Sequence, residues 1–170
     1  QITYQEDHFM LTTPIELNDY FRAELSFMIK ELVIDHSEAA ICESLIYPLL
    51  KEVWKPHKEL LMLWSHEPFK YDEDLAGVPD YLITKRSPLG KVVFDQPYLI
   101  VVEAKKDNFN QGWGQCLAEL VAAQKLNNDP QLCLFGMVSN GEIWEFGKLE
   151  ADKFTKHLEV YTIKELDNLG

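Results

Sequence analysis

Apolar positions along this chain follow two periods, and each period predicts an element. The densest apolar run, Leu99-Ile100-Val101-Val102, is rich in β-branched residues and ends abruptly in Glu103-Ala104-Lys105, as a buried strand does where it reaches a polar end. A shorter run, Val78-Pro79-Asp80-Tyr81-Leu82-Ile83, predicts a strand beginning at Asp80. Turn signals between the two (Ser87-Pro88, Gly90, Gln96-Pro97) predict that the chain doubles back and pairs them as antiparallel neighbours. Farther on, the apolar stretches 132–138 and 142–146 flank Asn140-Gly141, a hairpin signal. Residues His157 to Ile163 read as one more strand, ahead of a short terminal helix.

The helical period appears three times. Thr13-Pro14-Ile15-Glu16 has capping-box spacing with proline at the first helical position, and Leu17, Phe21, Leu25, Met28 and Leu32 continue it as a stripe, predicting a helix over Pro14 to Ile34. Ser37 is a good N-cap for a second helix reaching Leu50, in which Glu38, Ile41, Leu45 and Leu49 share the buried stripe, Glu43 points away and Pro48 imposes a bend. After a polar loop over 107–112, Trp113 to Leu126 reads as an Ala-rich helix that packs closely on a sheet. The order helix, helix, strand, strand, helix, strand, strand predicts an α/β fold with a three-layer core. Residues 1–36 are expected as an N-terminal helical extension packed on a core over 37–170, within one compact domain.

Composition narrows the classes. The 170 residues, 46% of them hydrophobic, suffice for a core without disulfide or metal staples. No apolar stretch approaches a membrane span and no charged-then-apolar leader opens the chain, so a cytoplasmic protein is expected, with no membrane partner. Cys42, Cys116 and Cys133 are isolated in apolar contexts and read as core thiols. The five histidines lack ligand spacing along the sequence, which speaks against zinc. Absence of a Gly-rich phosphate loop and of Gly-x-Ser-x-Gly removes ATPase and serine-hydrolase readings.

The chemistry concentrates on the two motif strands. Side chains two apart on a strand share a face, so Glu103 and Lys105 point together, and antiparallel pairing brings Asp80 to the same edge. Adjacent carboxylates raise each other's pKa unless a cation lies between them. Hard divalent ions prefer oxygen, so Asp80, Glu103 and the Ala104 carbonyl form a partial shell, with Lys105 placed to act on a bound water. Such a set suits metal-assisted hydrolysis of a phosphodiester.

Pro79-Asp80 followed by Glu103-Ala104-Lys105 resembles the PD-(D/E)xK signature of the restriction-endonuclease-like nuclease superfamily. Glu103-Ala104-Lys105 is the chain's one acid-x-Lys triplet, where chance alone gives about two, and its place at the end of the most strand-like run carries the resemblance. The resemblance implies a three-layer restriction-endonuclease-like core, a mixed central sheet flanked by helices, with Mg2+ (or Mn2+ in its place) on Asp80 and Glu103, and Lys105 assisting the attacking water. It also implies a glutamate from the first core helix, Glu38, at the metal, and a glutamine near the start of the following helix, Gln115 in preference to Gln111. Glu38 equally suits the helix dipole, and a glutamine at a helix start is more often a solvated or capping residue. The expected activity is a Mg2+-dependent nuclease on nucleic acid, DNA ahead of RNA. The alternative is a catalytically inactive nuclease-fold module that binds or regulates a partner.

Charge tempers this expectation. A net charge of −12 opposes avid binding to a phosphate backbone. Lys85, Arg86, Lys91, Lys105 and Lys106 are expected to cluster near the site, with a homodimer or a partner protein supplying further basic surface.

Overall fold

The computed structural model describes residues 1–164; the expected terminal helix lies outside them. The elements in chain order are β1 (Thr3–Asp7), α1 (Asp19–Glu31), α2 (Glu38–Ile41), α3 (Tyr47–Trp54), β2 (Leu61–Ser65), β3 (Phe69–Lys70), β4 (Ala76–Gly77), β5 (Tyr81–Lys85), β6 (Tyr98–Ala104), α4 (Phe109–Asn127), β7 (Leu134–Ser139), β8 (Ile143–Glu150), β9 (Lys153–His157) and β10 (Tyr161–Thr162). Eight strands form one mixed sheet in the order β1-β9-β8-β7-β6-β5-β2, with β10 also on β8, while β3 and β4 make a separate small hairpin. β5 and β6 pair antiparallel, as the turn signals predict, and α4 is the crossover that makes β7 parallel to β6.

The sheet separates two cores. On one face, Phe21 and Leu25 of α1 and Ile41, Leu45, Ile46 and Leu49 of the next helical run pack against Tyr81, Val102, Ala104 and Trp144. On the other, Trp113, Cys116, Leu120 and Ala123 of α4 pack against Leu82, Val101, Val138 and Leu149. Alternation along β6 therefore assigns Val102 and Ala104 to the α1–α3 side and Val101 and Glu103 to the α4 side. Cys42 and Cys116 are buried free thiols and Cys133 is half-buried, in keeping with a core role. Among the described residues, no helix is long and apolar enough to cross a membrane.

Several boundaries differ from the expectation, each for a local reason. The first helix starts at Asp19, because the Asn18 side chain accepts the Phe21 N–H at 2.8 Å and caps it there. Residues 10–15 stay non-helical, and all but Pro14 help line an apolar cavity of about 410 Å3 with Leu49, Trp144 and Phe146. Segment 1–36 also supplies β1, an edge strand of the main sheet. The bend expected at Pro48 is taken up one turn earlier: residues Cys42–Ile46 form a π turn in which the Tyr47 N–H reaches the Cys42 carbonyl. Widening that turn makes room for the proline ring at the start of α3. The strand expected over His157 to Ile163 is split, with His157 ending β9 and Tyr161–Thr162 forming β10.

Candidate functional site

The register of β5 on β6, Tyr81 opposite Val102, places Asp80 beside the Glu103 end of β6. Asp80 is fixed there by the Ala104 N–H, which donates to its Oδ2 at 2.8 Å. Ala104 thus engages Asp80 through its N–H. On its other side Asp80 Oδ1 lies 3.4 Å from His66 Nε2, and the His66 N–H donates to the Asp80 carbonyl at 3.0 Å. His66 holds a left-handed φ of 53°, a conformation that costs a non-glycine residue and persists where its surroundings enforce it. Ser65 Oγ, 2.8 Å from His66 Nδ1, completes a Ser65–His66–Asp80 chain.

Glu103 is 1% exposed, and neither of its carboxylate oxygens has a hydrogen-bond partner. Facing it from α4 is Glu119, also buried, whose Oε2 has no partner either. Burial and the proximity of the two carboxyls push both above the ordinary carboxylate range, with Asp80 adding to the effect and Lys105 opposing it. Two ionised carboxylates offer each other no donor, so their contact holds only with a shared proton or a cation. Gln115, one helical turn before Glu119, lies beside it and favours its charged form. Gly77 of β4 presses on Glu119 from above, where any Cβ would overlap the carboxylate.

Lys105 completes the group. Its Nζ lies 3.9 Å from Glu103 Oε2 and 3.8 Å from Glu38 Oε2, with the side chain 12% exposed. Glu38 also accepts the Lys106 N–H at 3.4 Å. Glu38 does not lie on the buried face as its stripe suggested; its side chain is half exposed, because the buried run begins at Ile41 and the first turn stands beyond the edge of the core. Glu43 is exposed as expected, yet it lines a cavity of about 520 Å3 together with Cys42, Tyr47, His66 and Tyr81, next to Asp80.

The basic cluster does not form. Lys85 and Arg86 lie at the opposite end of β5 from Asp80, about 16 Å along the strand, and Arg86 donates to the Lys58 carbonyl at 2.8 Å. Lys91 belongs to the loop joining that far end to β6. Of the five, Lys105 and Lys106 are at the site.

The structure thus brings Asp80, Glu103, Lys105 and Glu38 together, with Gln115 one contact away through Glu119. Sequence reasoning missed Glu119 and His66. It also missed a cluster at the far edge, where β1 pairing with β9 sets His8 beside His157 and Glu159, all with ligand atoms within 4.8 Å. Among the described residues this is the one group of three meeting that spacing, so the acids around Glu103 are more open. His157 Nδ1, however, already accepts the Phe9 N–H at 3.2 Å, which leaves the proton on Nε2 facing Tyr161 and Glu159. No protein-family model and no curated protein matches the chain.

Proposed function

We propose that this protein is a Mg2+-dependent nuclease that hydrolyses phosphodiester bonds, DNA in preference to RNA, on a restriction-endonuclease-like core. The observation that carries the reading is the buried Glu103 carboxylate, both oxygens unpartnered, between Lys105 and the Asp80 that β5 brings alongside. A buried carboxylate without a donor is costly, and an all-oxygen donor set suits a hard divalent cation. The residues fit Mg2+ or Mn2+, with Asp80 and Glu103 holding the ion. When bound, it would polarise a phosphoryl oxygen and ease deprotonation of a water.

The chain's own groups divide the remaining work. The Ala104 N–H and His66 orient the Asp80 carboxylate. Lys105, nearly buried beside Glu103, presents an ammonium that orients the attacking water and offsets negative charge growing on the phosphate. The sequence of elements also supports the reading: antiparallel β5 and β6, then α4 crossing to a parallel β7 that turns back into β8, keep the strand, strand, helix, strand, strand order that the resemblance implies.

The test is cleavage of labelled single- and double-stranded DNA and RNA with Mg2+ or Mn2+, comparing wild type with Asp80→Ala and Lys105→Ala. Metal-dependent cutting by wild type, lost in both variants, is the expected result. A folded wild type that neither cuts nor binds divalent ions overturns the proposal. That outcome favours the second reading, an inactive module for a partner protein, which the exposed Tyr20, Phe27, Ile29 and Val33 along and just after α1 support.

A further inference from the structure

We propose that Glu119 of α4 is a protein ligand of the divalent cation, sharing it with Glu103 across the seam between β6 and α4. Three of the four oxygens of this pair, Oε1 and Oε2 of Glu103 and Oε2 of Glu119, are buried without a hydrogen-bond partner. The residues themselves are 1% and 3% exposed, so bulk water does not serve those oxygens. Ionised carboxylates only accept, and a buried pair of them needs a positive centre between. Lys105 does not fill that need. Its ammonium stands 3.9 Å from Glu103 at the rim and is divided with Glu38.

The surroundings of Glu119 are built to hold its carboxylate in place. Gln115 lies beside it from the preceding turn and favours its charged form, and Gly77 leaves just the room its carboxylate occupies. Gln115 is thus a positioning residue acting through Glu119. Glu38, by contrast, is half exposed and committed to Lys105 and the Lys106 N–H. The ion is therefore held at the seam by Glu103 of β6 and Glu119 of α4, with Glu38 outside the set. Carboxylate oxygens select hard divalent cations such as Mg2+ and Mn2+.

This inference rests on the divalent-ion part of the nuclease reading, and binding, not cleavage, tests it. The full chain is titrated calorimetrically with Mn2+ and with Mg2+ as wild type, Glu119→Gln and Glu38→Gln, and each Tm is recorded in EDTA. Glu119→Gln is expected to weaken Mn2+ binding at least about tenfold, while its Tm in EDTA equals or exceeds wild type because the amide now donates to Glu103. Glu38→Gln is expected to change affinity less than about twofold, as for an exposed group outside the set. Should Glu119→Gln fail to fold, Glu119→Met, similar in volume and uncharged, takes its place. Wild-type affinity in the Glu119 variant overturns the inference and leaves a proton-sharing pair, with the nuclease reading standing on Asp80 and Glu103. Wild type that binds neither ion overturns both.

Discussion

Lys105 and the two buried glutamates set the behaviour of the site residue by residue. On the proposed nuclease reading the ammonium of Lys105 acts on water and phosphate, so Lys105→Ala should lower the cleavage rate by about 100-fold or more, within the usual range for a proton-handling or charge-stabilising group. Divalent affinity in the same variant should stay equal or rise, since an ammonium that competes for Glu103 is gone; rates and calorimetry side by side check this. A second expectation concerns pH. Glu103 and Glu119 have raised pKa values in the folded state, so above the ordinary value of 4.5 the folded chain holds protons that the unfolded chain has released. Stability of the metal-free protein should therefore fall as pH rises through that window, by about 1.4 kcal/mol per pH unit per proton. Urea denaturation in EDTA between about pH 5 and 8 measures the slope. Glu103→Gln should flatten it. Asp80, Glu103 and Lys105 were legible in the sequence because strand alternation and antiparallel pairing alone bring them together. Glu119 was not, because a mid-helix glutamate ordinarily faces solvent; its one available signal was its place beside Cys116 and Leu120 on the apolar stripe of α4. His66 was hidden because a left-handed φ at the end of a strand leaves no periodic trace.

At the scale of elements, the small β3–β4 hairpin is the lever on Glu119. Gly77→Ala puts a methyl group into the carboxylate, so either the hairpin or Glu119 must move. The expected cost is about 1–3 kcal/mol of stability, as for other overpacked sites, together with weaker Mn2+ binding; denaturation and calorimetry on the one variant read both. β5, β6, α4 and the β7–β8 hairpin were legible, since each pairs a clear period with a clear stop, such as Asn140-Gly141, where Asn140 Oδ1 accepts the Glu142 and Ile143 N–H groups. The edge strands were not. All five residues of β1, Thr-Tyr-Gln-Glu-Asp, are exposed, so no apolar alternation marks it as a strand. In β2, Leu61-Met62-Leu63-Trp64 is a continuous apolar run whose period fits strand or helix equally. The start of α1 was decided between two competent caps, Thr13 and Asn18, and Thr13 and Ile15 instead line the apolar cavity over β7 and β8.

For the molecule as a whole, charge would govern how the nucleic acid of the proposed reading is met. With −12 net charge and only Lys105 and Lys106 of the expected basic cluster at the site, counterion release on such binding should be small. The logarithm of the duplex-DNA binding constant should fall with the logarithm of salt no more steeply than about −2, and binding should require a divalent cation. Filter binding or anisotropy across a salt series, with and without Mn2+, measures both. Segment 1–36 bears on the whole molecule in another way. Thr3 pairs with Lys153, and Gln5 donates through Nε2 to Thr155 Oγ1 at 3.0 Å, 150 residues later in the chain. β1 runs parallel to β9 and has no other partner in the sheet among the described residues. During synthesis β1 therefore leaves the ribosome well before the strand it pairs with and waits for it. Its exposed, acid-bearing side chains keep it soluble through that interval, and when β9 arrives it closes the sheet in the manner of a clasp.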